Sequence, residues 1–189
     1  MPFSAYGDPV YGIADAKVAP YISTGSYGTA VDVMSVQMVQ TRLRIQSAEN
    51  NGDDQITAIA SRTLAAEYQI RFSGAPIDVF EVVTGVASAS SLSSPNRVRR
   101  LRIPGGQRMP YFGIIGQGLA EEGSGDQLIF GPKLKVMSDI QISMNEFGGF
   151  QTLEFTALAV PDSTLGILNL IQRETTGAYV FPPANIGTL

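Results

Sequence analysis

The chain has 189 residues, enough for one domain with a sizeable core; 44% are hydrophobic and only 16% charged, below the usual quarter. Its formal net charge of −4 and pI near 4.8 argue against general nucleic-acid adhesion, which needs a basic balance. The absence of cysteine excludes disulfides and thiolate metal sites, and the absence of histidine removes the commonest general base and metal ligand.

So little surface charge implies a surface covered by something, most simply other copies of the chain. No apolar run is long enough to span a membrane. Met1-Pro2-Phe3-Ser4 lacks the charged and apolar regions of a signal peptide. The expectation is a protein assembled in the cytoplasm.

Residues Met1 to Gly12 are rich in Pro, Gly and Tyr and read as an arm, with the arm boundary placed at residue 14. Ala16 to Ile22 reads as a short strand, followed by the turn cluster 23–28. Val31 to Gln46 is β-branched and long enough for an extended strand. It runs into Ser47-Ala48-Glu49-Asn50-Asn51-Gly52-Asp53-Asp54, expected as a protruding hairpin loop. Ile56–Arg62 and Leu64–Phe72 return as strand. Leu64, Ala66, Tyr68, Ile70 and Phe72 fall on one side; Ala65, Glu67, Gln69 and Arg71 fall on the other.

Val79, Val82 and Val83 then repeat at helical spacing, Pro76 suits a first turn and Gly85 a stop, so a short helix is predicted between Ala75 and Thr84. Its β-forming residues pull against that reading. Val86 to Asn96 reads as a surface connection, Val98–Ile103 and Tyr111–Leu119 as strands, Glu121–Gln127 as an acidic loop and Leu128–Gly131 as another strand.

Lys133 to Asn145 alternates throughout, with Leu134, Val136, Ser138, Ile140, Ile142 and Met144 opposite Lys135, Met137, Asp139, Gln141, Ser143 and Asn145. After the turn 146–149, Leu153, Phe155, Ala157 and Ala159 alternate with Thr152, Glu154 and Thr156. Leu165 to Gln172 looks helical and apolar. Residues 166–189 read as a C-terminal arm.

Candidate chemistry is weak. The glycine groups Gly113–Gly118 and Gly123–Gly125 lack the Gly-Lys-Ser/Thr and following helix of a phosphate loop. Glu49, Asp53 and Asp54 do not match the spacing of a calcium-binding loop. The adjacent acids Glu121 and Glu122 read as a solvated loop. No catalytic residue, metal site or cofactor is expected, and the chain does not read as an enzyme.

Five of the thirteen basic residues, Arg97, Arg99, Arg100, Arg102 and Arg108, fall in one short window. Aromatic stacking platforms are not interleaved, so an interface ion-pair role is favoured over a nucleic-acid contact.

Four stretches stand out in order: Ala30–Val39 leading through the polar segment to Asp54 and then Leu64–Phe72; Pro76 to Gly85 with its closing Thr-Gly; Pro110-Tyr111-Phe112-Gly113-Ile114-Ile115-Gly116-Gln117-Gly118; and Phe130 to Asp162, closing on Leu158-Ala159-Val160-Pro161-Asp162. Together they resemble the phage tail tube proteins, the major tail proteins of long-tailed phages. The likeness covers roughly residues 15–165, the β domain between the two arms.

The resemblance implies a β-sandwich or barrel-like subunit with one short flanking helix that forms hexameric rings stacked into a tube. Two long hairpins per subunit would join into an inner barrel through which genome DNA passes during ejection, without sequence-specific binding. Its partners would be further copies and other tail proteins (tape measure, terminator, baseplate or tip), in the virion tail and without a membrane. Another virion shell component (a tail terminator or capsid decoration β-sandwich) and a monomeric β-barrel ligand-binding module remain as alternatives.

On the tube reading, Arg42, Arg44, Glu67, Gln69, Arg71, Asp139, Gln141, Ser143, Thr152, Glu154 and Thr156 line the bore. Glu49, Asn50, Asn51, Asp53 and Asp54 form the inter-ring loop. Arg97, Arg99, Arg100 and Arg102 meet Glu121, Glu122 and Asp126 of another subunit, and Tyr6, Tyr11, Tyr179 and Phe181 anchor the arms on neighbours.

Overall fold

A computed structural model of the chain describes residues 10–33, 35–52, 55–74, 76–93, 95–120, 125–143, 151–173 and 177–183. The protein is mainly β, with one short helix. Its strands are β1 (Val10–Ser23), β2 (Ser26–Tyr27), β3 (Val31–Asp32), β4 (Val36–Gly52), β5 (Gln55–Ser73), β6 (Ala89–Ser91), β7 (Val98–Arg100), β8 (Phe112–Ala120), β9 (Asp126–Val136), β10 (Gln141–Ser143), β11 (Thr152–Ala159) and β12 (Asn169–Arg173). The helix α1 spans Ile77–Thr84.

All but β6 and β7 join one antiparallel sheet whose main path runs β2-β1-β8-β9-β11-β5-β4. The sheet curls onto itself, as twisted sheets of this width do. A Cβ added at Gly116 of β8 would lie 3.1 Å from Ile13 of β1 and 3.7 Å from Val39 of β4. Thus the end strand β4 is brought over β8, and glycine is what allows that approach.

The enclosed space is filled by alternate residues of β5, β8, β9 and β11: Tyr68, Ile70, Phe72, Phe112, Ile114, Leu134, Leu153 and Phe155. Phe155 stacks edge-on against both Phe72 and Phe112, with centroids 6.0 and 6.2 Å away. The period-two pattern read in β5 and β11 is therefore realised, except that Leu64 is left half-exposed.

Helix α1 closes one end of this core. Gly85 ends it in the left-handed region at φ 69° and donates its N–H to the Glu81 carbonyl. Val79, Phe80, Val82 and Val83 are buried, so tertiary packing overrides the weak propensity of the segment.

Four expectations are corrected. β1 begins at Val10, so residues 10–14 belong to the sheet rather than to an arm. The segment 47–54 is not a loop over its whole length: β4 continues through Gly52, paired with Gln55.

The single strand expected over Lys133–Asn145 is two strands, because β9 stops at Val136. There the N–H groups of Met137 and Ser138 both reach the Thr156 carbonyl, at 2.9 and 3.3 Å, while the Ser138 hydroxyl accepts the Thr156 N–H at 2.8 Å. A side chain thus replaces the main-chain ladder, the strand bends, and Ile142 ends half-exposed. Lastly, the helical look of Leu165–Gln172 is overridden. The Asp162 carboxylate accepts the Thr164 and Leu165 N–H groups in a tight turn, and β12 then pairs along the edge of β9.

Candidate functional site

Four strands lie side by side in the order β10-β11-β5-β4. Directly paired residues share a face, so the register defines rows across it. One row is Gln141, Glu154, Arg71 and Met38; another is Thr156, Gln69 and Gln40; a third is Leu158, Glu67 and Arg42; a fourth begins with Ser143, Thr152 and Ser73. The reverse side of the same strands holds the apolar core.

Ten of the eleven residues expected to share a wet face therefore do so: Arg42, Arg44, Glu67, Gln69, Arg71, Gln141, Ser143, Thr152, Glu154 and Thr156. Asp139 is exposed but sits in the break between β9 and β10, outside the rows. Gln40, Met38 and Leu158 also belong to the face. Gln40 was legible as the residue two before Arg42, whereas Leu158 was hidden because its apolar side chain imitates the core side.

The face carries both signs and crosslinks itself. The Arg44 guanidinium donates twice to Glu67, at 3.0 and 2.7 Å, and the Gln69 amide donates to Glu154 at 2.8 Å. A cleft at its corner, lined by Arg44, Glu67, Met137, Ser138, Thr156 and Leu158, holds ≈ 210 Å³, below the roughly 300–1,000 Å³ of small-molecule sites. Among the described residues no group of three or more His, Cys, Asp and Glu could hold a metal ion.

Among the described residues one flank, β4, is open along its length; on the other, β9 pairs with β11 at Ala157–Ala159 and the three-residue β10 has the open edge. β4 ends the sheet, and β10 pairs only with β11. A strand of 17 residues with a free edge is a template for pairing with another chain. Beyond its last contacts with β11, the β4–β5 hairpin continues as a free ribbon, since β11 reaches β5 only between Ala66 and Ser73. Ile45 and Ile59 on the ribbon are 63% and 65% exposed. Glu49 is exposed, Asn50 and Asn51 lie in its strand, and Asp53 and Asp54 fall outside the described residues.

The other expected interface groups are redistributed. Arg99 is latched within its own chain, donating to Asp78 at 2.6 Å and lying 3.5 Å from Glu81 on α1. Asp126, expected at a subunit boundary, is buried and bound by Arg173 of β12 and the Gln117 amide. Burial pushes its carboxyl pKa up, but the hydrogen bonds and charge of Arg173 with the Gln117 bond outweigh this and hold it below the usual range. Glu121 and Glu122 lie outside the described residues.

Tyr179 and Phe181, expected on neighbouring subunits, pack on their own chain. Phe181 stacks on Tyr27 and Phe130 with centroids 5.0 and 5.6 Å away, and Tyr179 takes the Lys17 ammonium over its ring. Arg173 and Gln117 hold the segment down by donating to the Gly177 carbonyl at 2.6 and 3.1 Å. Of the N-terminal anchors, Tyr6 is outside the described residues and Tyr11 contributes its backbone to β1. Sequence reasoning missed Gln117 and Arg173, for which no local signal existed; their meeting depends on β8, β9 and β12 being neighbours. No family model matches this chain, and neither does any curated protein.

Proposed function

We propose that this chain is a structural subunit that self-assembles into a tube, the wet faces of successive copies lining a bore. The observation that carries the reading is the four-stranded unit β10-β11-β5-β4, apolar on one side, wet and of mixed charge on the other, with a free strand edge at each flank. Two different edges on one subunit favour head-to-tail pairing, in which the β4 edge of one copy meets the β10 edge of the next. Such a contact removes both exposed edges once the ring closes.

The resemblance of the sequence to phage tail tube proteins supports the same reading and adds the ring size. Six copies of four strands, spaced about 4.8 Å and tilted about 40°, make a barrel roughly 50 Å across between backbones. That admits a DNA duplex with its hydration. The proposed wall carries Arg42, Arg44 and Arg71 beside Glu67 and Glu154, with Arg44 paired to Glu67, so it is of mixed sign and lacks the uniformly basic lining that holds phosphates. In this role the chain is a virion component of a phage tail, working with the other tail proteins and without catalysis.

Electron microscopy of the purified protein tests the reading. Tubes of uniform diameter are expected. Closed rings or clusters that never elongate point instead to a terminator or shell component, and a persistent monomer to a ligand-binding module. Deleting Asn50–Asp54, which removes the end of the ribbon, should leave folded subunits or rings and stop elongation; tubes of normal length from that variant rule out a ribbon contact between rings.

A further inference from the structure

The second, two-stranded sheet is separate from the wet face and carries the arginines expected at a subunit boundary, one of which, Arg99, is held within its own chain instead. β6 and β7 pair as Ala89 with Arg100, Ser90 with Arg99 and Ser91 with Val98. Because directly paired residues share a face, Ser90 and Arg99 point one way, and Ala89, Ser91, Val98 and Arg100 the other. Arg99 reaches Asp78 and Glu81 of α1 and also donates to Ser88 at 3.1 Å, which fixes the first face against the helix. The second face therefore points away from the body. It is a flat surface of two small residues beside one valine and one arginine, and every one of the four is exposed.

Three further features of this hairpin are unusual for an idle surface loop. Leu92, at its turn, has φ 69° and is 70% exposed. A bulky residue in the left-handed region is strained, and no burial of its side chain offsets that cost. Val98 and Ile103 are also about half-exposed, giving the hairpin an apolar surface. Among the described residues, no carboxylate pairs with Arg97, Arg100 or Arg102, although Arg99 between them is fully engaged.

The charge balance of the chain identifies the occupant. Residues 97–108 hold five arginines and no acid. Of thirteen basic and seventeen acidic residues in all, eight against seventeen are left for the rest of the chain. One exposed, positive hairpin thus stands on a chain whose remainder is net negative, so a second copy offers charge of the opposite sign. A patch that meets a different patch of its partner makes a head-to-tail contact.

We propose that the β6–β7 hairpin is a docking arm that binds the acidic surface of a second copy of this chain through Arg100 of its outward face and the exposed Arg102 that follows it, with Val98 as its apolar centre. Latching Arg99 to α1 holds the arm in place before the partner arrives, which lowers the ordering cost of the contact. The contact does not require the tube: the hairpin is a sheet of its own, not part of the β4 or β10 edge, and would equally serve another assembly.

The test uses the full chain and the double variant Arg100→Glu/Arg102→Glu, with Arg99 left in place so that the latch survives. Both substituted side chains are exposed, so the melting temperature should stay at the wild-type value. Sedimentation and light scattering should show wild-type self-association weakening as salt rises from about 50 to about 500 mM, and the variant at low salt should need about tenfold more protein to associate.

Salt-insensitive wild-type association overturns the proposal, as does a variant that associates like the wild type. If the variant assembles normally but no longer retains a short DNA duplex that the wild type holds, the hairpin is a nucleic-acid contact and the proposal is also overturned. Normal tubes from the variant in micrographs refute the docking arm and leave the tube reading standing. Salt-sensitive association of a wild type that never forms tubes refutes the tube reading and leaves the arm.

Discussion

β8 with β9 and β4 with β5 are both antiparallel strand pairs, yet the protein treats them oppositely. β8 and β9 are covered on both sides. Phe112, Ile114 and Leu134 point into the main core, while Ile115, Leu128 and Phe130 form a second cluster under Tyr179 and Phe181. In the ribbon beyond Ala66 the described side chains, 43–49 and 59–64, are exposed on both faces, and Ile45, Ile59 and Leu64 face water. Apolar burial at about 25 cal/mol per Å² holds the first region together within one chain. The second has no such term and can obtain it only from a partner. Fold stability and assembly therefore reside in different parts of the molecule and should respond to different mutations.

The sharpest contrast is Phe130→Ala against Ile45→Ser. Phe130 is fully buried and stacks on Tyr27 and Phe181, so its truncation should cost about 3–5 kcal/mol in chemical denaturation. Ile45→Ser should change monomer stability by less than about 0.5 kcal/mol while impairing assembly. A large loss from Ile45→Ser would mean that the ribbon is covered within its own chain, and the comparison would fail.

Next in size is the latch under the C-terminal segment. Asp126→Ala leaves Arg173 and Gln117 without their shared partner and should cost about 2 kcal/mol, less than a fully buried pair because Arg173 retains access to water. The same carboxylate gives a pH signature. Its folded pKa lies below the unfolded value, so it contributes stability above the unfolded pKa of about 4, and that contribution is lost as pH falls through the folded value.

Asp162 adds to the effect with the same sign. Burial raises its pKa, but the N–H groups of Leu165 and Thr164 and the Tyr21 hydroxyl bring it below the usual range. Melting temperature should therefore fall below about pH 4 in the wild type and fall less steeply in Asp126→Asn. Equal slopes would show that the latch is not what acid breaks.

A smaller effect is expected at Gly113. A Cβ there would lie 2.7 Å from the Tyr27 ring and 2.8 Å from that of Phe181, so Gly113→Ala should lift the aromatic cover at about 1–3 kcal/mol, read as faster proteolysis after Arg173. The smallest is Arg44→Ala on the wet face. The Arg44–Glu67 pair is partly solvated, so its loss should cost well under 1 kcal/mol, with tubes still forming. A severe folding defect there would place the wet face in the core and remove the basis for a bore.

Much of this was written locally. The glycine at position 85 and the valines spaced three and four apart mark the helix, because a left-handed stop and a helical apolar face are properties of adjacent residues. Period two likewise assigned the faces of β5 and β11, where Tyr68, Ile70, Leu153 and Phe155 are buried as read. The same rule failed at Met137–Ile142, since alternation continues through a bend that only the hydrogen bonds of Ser138 to Thr156 reveal. A different reading failed at Asn169–Arg173, where the helical look of Leu165–Gln172 gave way to an open edge of β9 that drew the segment into a strand.

By itself the sequence determined which residues alternate, where one helix ends and that the chemistry of histidine and cysteine is absent, for these are matters of composition and near neighbours. The tertiary structure alone decided which strands lie side by side. Alternation states which side of a strand is apolar, never which strand comes next. The pairing of Tyr21 with Asp162, the meeting of Arg173 with Asp126 and the exposure of the β4 and β10 edges all arise from closing the chain over long separations, where no local preference operates.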